Sequence, residues 1–232
     1  NQLFSAETLA HHNIVKLAKK IKEINFLLGS SSEWMKSVGS SAAEICDSMG
    51  RNKVYNKMTD YNIILKEFGA VDLCNYVNLK ENDRMLILSM RNHSKIKKWM
   101  HNRNSISNAS HREFMKDLED KIDRRYFLVK QKNNIIGSIN FSDIDLPNAV
   151  ELGIYSNPFI KIKDAGRLLE AVSSYYAFIE LGVKKIKLEV YSDNQRAINF
   201  YTKCGYHFIN RKKVNSQNIL SMEKIKVLEE LL

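Results

Sequence analysis

A phenol, two carboxylates and a basic helix start are the residues of this chain with chemistry to offer. Tyr201 follows Asn194 by seven residues in the stretch Glu189–Tyr206, EVYSDNQRAINFYTKCGY. A tyrosine holds its proton at neutral pH and can act as a general acid; beside Phe200, Tyr201 suits a core equally well. Asp193 or Asn194 can cap a helix by accepting its free backbone N–H groups. Glu151 and Glu189 are carboxylates that can take a proton from an amine or hold it in place, or simply stand solvated on strands. Lys161, Lys163 and Arg167 surround Asp164-Ala165-Gly166, where a helix begins. Backbone amides at a helix N-terminus, aided by the helix dipole, bind phosphate groups; an ordinary capped surface helix carries the same pattern. Asp164 is a good N-cap residue, worth about 1 kcal/mol, yet its carboxylate repels a phosphate.

The elements that must position these residues follow from periodicity. Residues 1–73 read as helical, with helices expected over 9–28, 33–49 and 54–68 and Gly69 ending the last. From residue 74 the pattern changes: a short strand over 74–79, helices over 83–91 and 94–101, and a helix opened by the capping box Ser110-His111-Arg112-Glu113. Strands follow at 125–132 and 135–144, joined by Asn133-Asn134, a pair fit for a tight hairpin. The run AVELGIYS is a third strand of this set. An amphipathic helix spans 165–180. Then come the strand KKIKLEVY, the helix after Asn194 closed by Gly205, and strands over 206–214 and 219–225. The expected organisation is a helical segment, 1–73, an α/β (α+β) domain over 74–226 and a short tail, 227–232.

Composition narrows the class. Forty-four per cent of the 232 residues are hydrophobic, ordinary for a globular protein. No apolar run approaches the roughly 20 residues that span a bilayer, and no secretory signal is present. The three cysteines, Cys46, Cys74 and Cys204, form neither a zinc pattern nor a disulfide framework, which fits a reducing cytoplasm. The net charge of +10 suits nucleic acid or phosphorylated small molecules alike. The chain starts at Asn1 rather than Met, so it is expected to be a fragment or a processed product.

The order strand, Asn, Ala, Phe-Tyr, Gly-Tyr resembles the C-terminal signature of the GNAT (Gcn5-related) N-acetyltransferases. The element order βαα(α)βββαβαββ from residue 75 also resembles that fold, a mixed, mostly antiparallel sheet with helices on both faces whose fourth and fifth strands splay apart. The resemblance implies acetyl-coenzyme A as cosubstrate and no metal. It implies contacts to the cofactor from Ile154, Tyr155, Lys161, Lys163, Ala165, Gly166, Arg167, Asn194 and Tyr201. Asp164 departs from the family pattern, which has glycine there. Tyr201 becomes the general acid for the departing thiolate, Glu151 or Glu189 the base or amine-positioning group, and a backbone amide of strand 152–156 the oxyanion donor.

The acceptor end, RNH…WM…H..F…D.RYFLV…IG.I…GIY.NPF, is similar to the pseudaminic-acid pathway acetyltransferases. These acetylate the 4-amino group of a UDP-linked amino-dideoxy sugar. By that likeness Arg91, His111 and Tyr155 face the nucleotide, and Met100, Phe114 and Glu189 the sugar. His101 and Glu151 stand where tyrosines can occur. Residues 1–73 resemble the C-terminal tail of the same pathway's UDP-sugar hydrolase, through Asn1-Gln2, Met58-Thr59 and Gly69-Ala70. The implied partners are a nucleotide-sugar, with a homodimer or a hydrolase domain ahead of this segment left open; no nucleic acid or membrane is expected. A protein N-terminal acetyltransferase and a non-enzymatic basic module are the competing readings.

Overall fold

The computed structural model describes residues 60–214 and 217–227. The elements in chain order are β1 (Tyr61–Leu65), β2 (Gly69–Asn75), α1 (Glu81–Asn92), α2 (Ser94–Lys97), α3 (Asn108–Asp117), β3 (Arg125–Gln131), β4 (Asn134–Asp145), β5 (Ala149–Ser156), α4 (Ala165–Tyr175), β6 (Lys185–Tyr191), α5 (Gln195–Lys203), β7 (His207–Val214) and β8 (Gln217–Ile225). The strands form a single sheet in the order β1-β2-β3-β4-β5-β6-β8-β7. Every neighbouring pair is antiparallel except β5 and β6, which run parallel.

Alternation along β3 sends side chains to two cores, as the period of a strand requires. Phe127 and Val129 enter the larger one with Leu168, Leu169 and Val172 of α4. Tyr176 stacks edge-on against Phe127, with ring centroids 4.9 Å apart, and lies 4.9 Å from Phe141. Leu128 faces the other way and packs with Ile87 and Met90 of α1 and Met115 of α3. The sheet is therefore covered on both faces, as the expected fold demands. Among the described residues, no helix is long and apolar enough to cross a membrane.

Several local expectations are corrected. The helix predicted over 54–68 is β1 and a turn where it is described; the rest, with the helices over 9–28 and 33–49, lies outside the described residues. Ile63 is buried while its neighbours Asn62 and Ile64 are exposed, the alternation of a strand. Gly69 has φ +74°, the left-handed conformation that serves a helix end and a hairpin equally well; here it belongs to the β1–β2 hairpin. The sheet thus takes in residues 61–73. The Asp60 carboxylate locks this hairpin to the segment after β2, accepting from the Asn75 N–H at 2.7 Å and from the Asn78 amide at 3.1 Å. The strand expected over 74–79 ends at Asn75 and turns into a 3₁₀ segment, Tyr76–Asn78, capped by the Asn75 side chain.

Ser107, not Ser110, caps α3: its Oγ accepts the Ser110 N–H at 3.1 Å. The β3–β4 connection is Lys132-Asn133, with Lys132 left-handed. α4 continues as a π-helical turn, Tyr176–Leu181, that Gly182 ends. Gly205, at φ +87°, closes α5 as expected.

Candidate active site

β5 and β6 pair over only three residues each, Ala149–Glu151 with Lys185–Lys187. Past that point β5 remains paired to β4 on one edge, and residues 152–156 have no strand partner on the other among the described residues. Backbone amides on an open, inward-facing strand edge are donors in search of an acceptor. The two strands make a cleft, and α4 and α5 meet beside it. A Cβ on Gly166 would lie 3.4 Å from the Phe200 ring, so the start of α4 packs directly on α5.

Asp164 occupies the N-cap position of α4, but its side chain makes no capping bond, contrary to expectation. Its backbone is left-handed, φ 57°. Glycine adopts that conformation without strain, and Asp is among the few other residues that tolerate it. Backbone geometry, rather than capping, therefore accounts for Asp where the related pattern has glycine. Lys161 and Lys163 are exposed on the approach, and Ala165 is buried. Arg167 is turned toward the β1–β2 turn, ion-paired with Glu67 and 5.9 Å from the Phe68 ring.

Asn194 caps α5, its Oδ1 accepting the Ala197 N–H at 3.3 Å. Tyr201, two turns on, is partly buried against the larger core. The Tyr201 ring meets Phe200 and Tyr206 at 5.2 and 5.4 Å. Burial first, then the Glu170 carboxylate and Cys204, push its phenol well above the ordinary range. Tyr201 is therefore protonated at any working pH. Behind it, buried Glu170 receives Lys224 Nζ at 3.0 Å and Ser174 Oγ at 2.6 Å. Ile154 packs against the larger core. Tyr155 closes a chain of hydroxyls: its OH is 3.3 Å from that of Tyr76, which is 2.6 Å from Ser138 Oγ.

The two carboxylates stand at the apex of the cleft. Glu151 is in register with Lys187 of β6, and alternation puts Glu189 on the same face two residues further. Burial, then Glu189 and Asp143, push the Glu151 carboxyl up, with Lys212 and His101 opposing. Glu189 is ion-paired with Lys212 of β7, and its other oxygen is 3.7 Å from His101 Nε2. Arg91 donates to the Asn102 carbonyl at 2.7 Å, while its second terminal nitrogen is buried without a partner. Burial lowers the Arg91 pKa, and neighbouring Tyr155 opposes that shift. The Met100 carbonyl accepts from the Tyr191 hydroxyl at 3.3 Å.

His111 and Phe114 are placed differently from expectation. His111 is only 5% exposed, and Nε2–H donates to the Arg84 carbonyl at 2.9 Å. Burial lowers its pKa. It shares the buried face of α3 with Met115, at the i, i+4 spacing of a core stripe. Phe114 packs edge-on against Tyr126 at 5.2 Å, beside the smaller core. The structure thus joins Arg91 to Tyr155, and Glu189 to Glu151, but ties His111 into the packing of α1 and α3.

Sequence reasoning missed Lys212, Tyr76, Ser138 and Arg103. Arg103 donates to the Gln217 side chain at 2.6 Å and lies 5.0 Å from the Tyr191 ring. It helps line a cavity of about 230 Å³ with His101, Asn104 and Gln217. No local signal marks these residues, since their partners are distant in sequence. Among the described residues, no group of three or more His, Cys, Asp or Glu could hold a metal ion.

Comparison with known proteins adds to this geometry. The profile of the Acetyltransferase (GNAT) family matches residues 93–206. The acetyltransferase PseH of Campylobacter jejuni (strain 81-176) is 34% identical over 143 residues, 62% of this chain and 88% of that protein. The crystal structure of C. jejuni N-acetyltransferase PseH in complex with acetyl coenzyme A is similar with a TM-score of 0.55 at 25% identity, covering 68% of this chain and 99% of that one. Spermidine N-acetyltransferase from Vibrio cholerae, in complex with CoA and spermine, superposes with a TM-score of 0.61 at 22% identity, over 67% and 95% of the two chains, a likeness of fold.

Proposed function

This chain belongs to the GNAT acetyltransferase family, and from that premise we propose that it acetylates the 4-amino group of a UDP-linked amino-dideoxy sugar in pseudaminic acid biosynthesis, in the cytoplasm. The observation that carries the reading is the likeness to PseH along 88% of that protein's length.

The residues present fit acetyl-coenzyme A. The parted strands leave an open edge on β5, and the start of α4 offers the Gly166 and Arg167 amides of its first turn, flanked by Lys161 and Lys163, while the Ala165 N–H is bound to the Ile162 carbonyl at 3.4 Å. Those amides and lysines would hold the phosphates. Bound there, the thioester supplies the acetyl group. Those amides of residues 152–156 that face away from β4 would stabilise negative charge on a carbonyl oxygen in the cleft, which in a dry site is a large term. Glu151, whose raised pKa makes its carboxylate the stronger base, takes the proton from the acceptor's ammonium when it is ionised. Tyr201, a phenol that holds its proton at neutral pH, gives it to the departing thiolate, a role worth about 10²–10⁴-fold. Arg91, with an unused nitrogen, suits the acceptor's diphosphate. Met100 and Tyr191 offer an apolar wall to the deoxy-sugar.

The test is thiol release from acetyl-coenzyme A in the presence of UDP-4-amino-4,6-dideoxy sugars. Release is expected with the nucleotide-sugar. No release with it, together with release for a peptide amine, would replace the reading by a protein acetyltransferase. Absence of thermal stabilisation at millimolar coenzyme A would remove the enzymatic reading altogether, because a ligand that binds the folded state raises stability by RT ln(1 + [L]/Kd).

A further inference from the structure

The acceptor end of the cleft holds two carboxylates where one proton has to move. Lys212 distinguishes them. It sits on β7, the edge strand farthest from β5 in this half of the sheet, and reaches across β8 to pair with Glu189 on β6. β8 residue Ser221 is the register partner of Glu189, while Lys212 is opposite Ile219, so the contact is a diagonal across the face of three strands. His101, from the segment after α2, approaches the other oxygen of Glu189 at 3.7 Å. The Glu189 side chain is 15% exposed and is thereby flanked on both oxygens by basic groups. Glu151 has no such ion pair among the described residues. The charged groups facing it are Glu189 from β6, Asp143 from β4, Lys212 from β7 and His101.

We propose that Lys212 is a positioning residue that divides the labour between the two carboxylates: it commits Glu189 to an ion-paired wall of the acceptor site and leaves Glu151 as the group that exchanges a proton with the acceptor amine. This deepens the proposed acetyl transfer and rests on it for the identity of the amine. The first proton leaves nitrogen for the Glu151 carboxylate as the neutral amine forms, and Glu151 passes it to solvent; the C–N bond then forms, the C–S bond breaks, the thiolate takes its proton from Tyr201, and the second proton, released from nitrogen as the amide forms, returns Tyr201 to its neutral state through solvent.

The two neighbours of Glu151 carry opposite charge, so their removal has opposite signs. Lys212→Met withdraws a positive charge and raises the pH at which Glu151 ionises; Glu189→Gln withdraws a negative charge and lowers it. Carbon-13 NMR of carboxyl-labelled glutamate, with Glu151 assigned through Glu151→Gln, follows this titration directly and needs no acceptor. The expected result is an upward move of the Glu151 midpoint in Lys212→Met, a downward move in Glu189→Gln, and a midpoint close to wild type in Lys212→Arg. An unchanged Glu151 midpoint in both charge-removing variants overturns the proposal. In turnover, the acidic limb of kcat/KM follows the same signs. Lys212→Met loses about threefold on that limb and much less on the plateau, as expected for a modest displacement of one ionisation. An acidic limb that survives in Glu151→Gln also overturns it. If the wild type transfers acetyl to no UDP-amino sugar, the acceptor assignment fails while the NMR titration still decides the role of Lys212.

Discussion

The two halves of the cleft are built from different material. The half proposed for the cofactor is backbone: an open edge of β5, the amides at the start of α4, and a cap that fixes α5. The acceptor half is side chains drawn from α1, the 98–107 segment, β5, β6 and β7, held by contacts such as Arg91 to Asn102 and Lys212 to Glu189. Backbone sites tolerate exchange of side chains; side-chain sites do not. The reaction is therefore robust to sequence change, and the acceptor is the feature free to vary.

Substitutions can break this contrast or sharpen it. The largest effect is expected from Tyr201→Phe, which removes the proposed general acid: kcat should fall on the order of 10²-fold or more with coenzyme A affinity unchanged. Stopped-flow thiol release and calorimetry measure the two quantities, and wild-type turnover would remove Tyr201 from the mechanism. Arg91→Ala should raise the acceptor KM by about 10- to 100-fold, the usual weight of a charge-assisted contact, without moving coenzyme A affinity. Equal losses for both ligands would mean that the halves are not separate.

Gly137→Ala tests the backbone of the cleft floor. A Cβ there would collide with the Tyr155 carbonyl and the Ser156 Cα. Denaturant unfolding should show a loss of about 1–3 kcal/mol, the typical cost of overpacking. The smallest effect belongs to Asp164→Gly. The left-handed backbone gains a residue that prefers it, while the unfolded chain gains freedom, so stability should change little. Coenzyme A should bind a few-fold tighter at low salt, with the gain fading as salt screens the lost carboxylate. Weaker binding would assign the Asp164 side chain a positive role.

The same contrast explains what was legible in the sequence. The strand–Asn194–Tyr201–Gly205 unit is local, and its cap, helix and left-handed closure all stand as read. The mixed sheet with helices on both faces was what the resemblance to the GNAT fold implied; periodicity supplied the element order on which that resemblance rests. β1 was read as helix because Gly69 is ambiguous between a helix end and a hairpin, and because Ile63 shows its burial only once β2 lies beside it. In the acceptor half, Glu151 and Glu189 were readable as carboxylates on neighbouring strands. Lys212 was not, because the run RKKV lies on an exposed edge strand and nothing in it points to a carboxylate two strands away. For His111 the family likeness implied a nucleotide contact, while the spacing of His111 and Met115 along α3 describes a buried stripe.

The Asp60 carboxylate has a practical meaning for anyone cutting this chain. It ties β1 to the segment that leads into α1, and Val71 and Leu73 of β2 are fully buried against β3. A fragment begun at residue 74 would lose β1 and most of β2 and leave unpaired backbone groups on the edge of β3, the kind of surface on which chains pair with one another and aggregate. The smallest piece able to fold and work by itself therefore begins no later than Asp60, well inside what the sequence assigned to a separate helical segment.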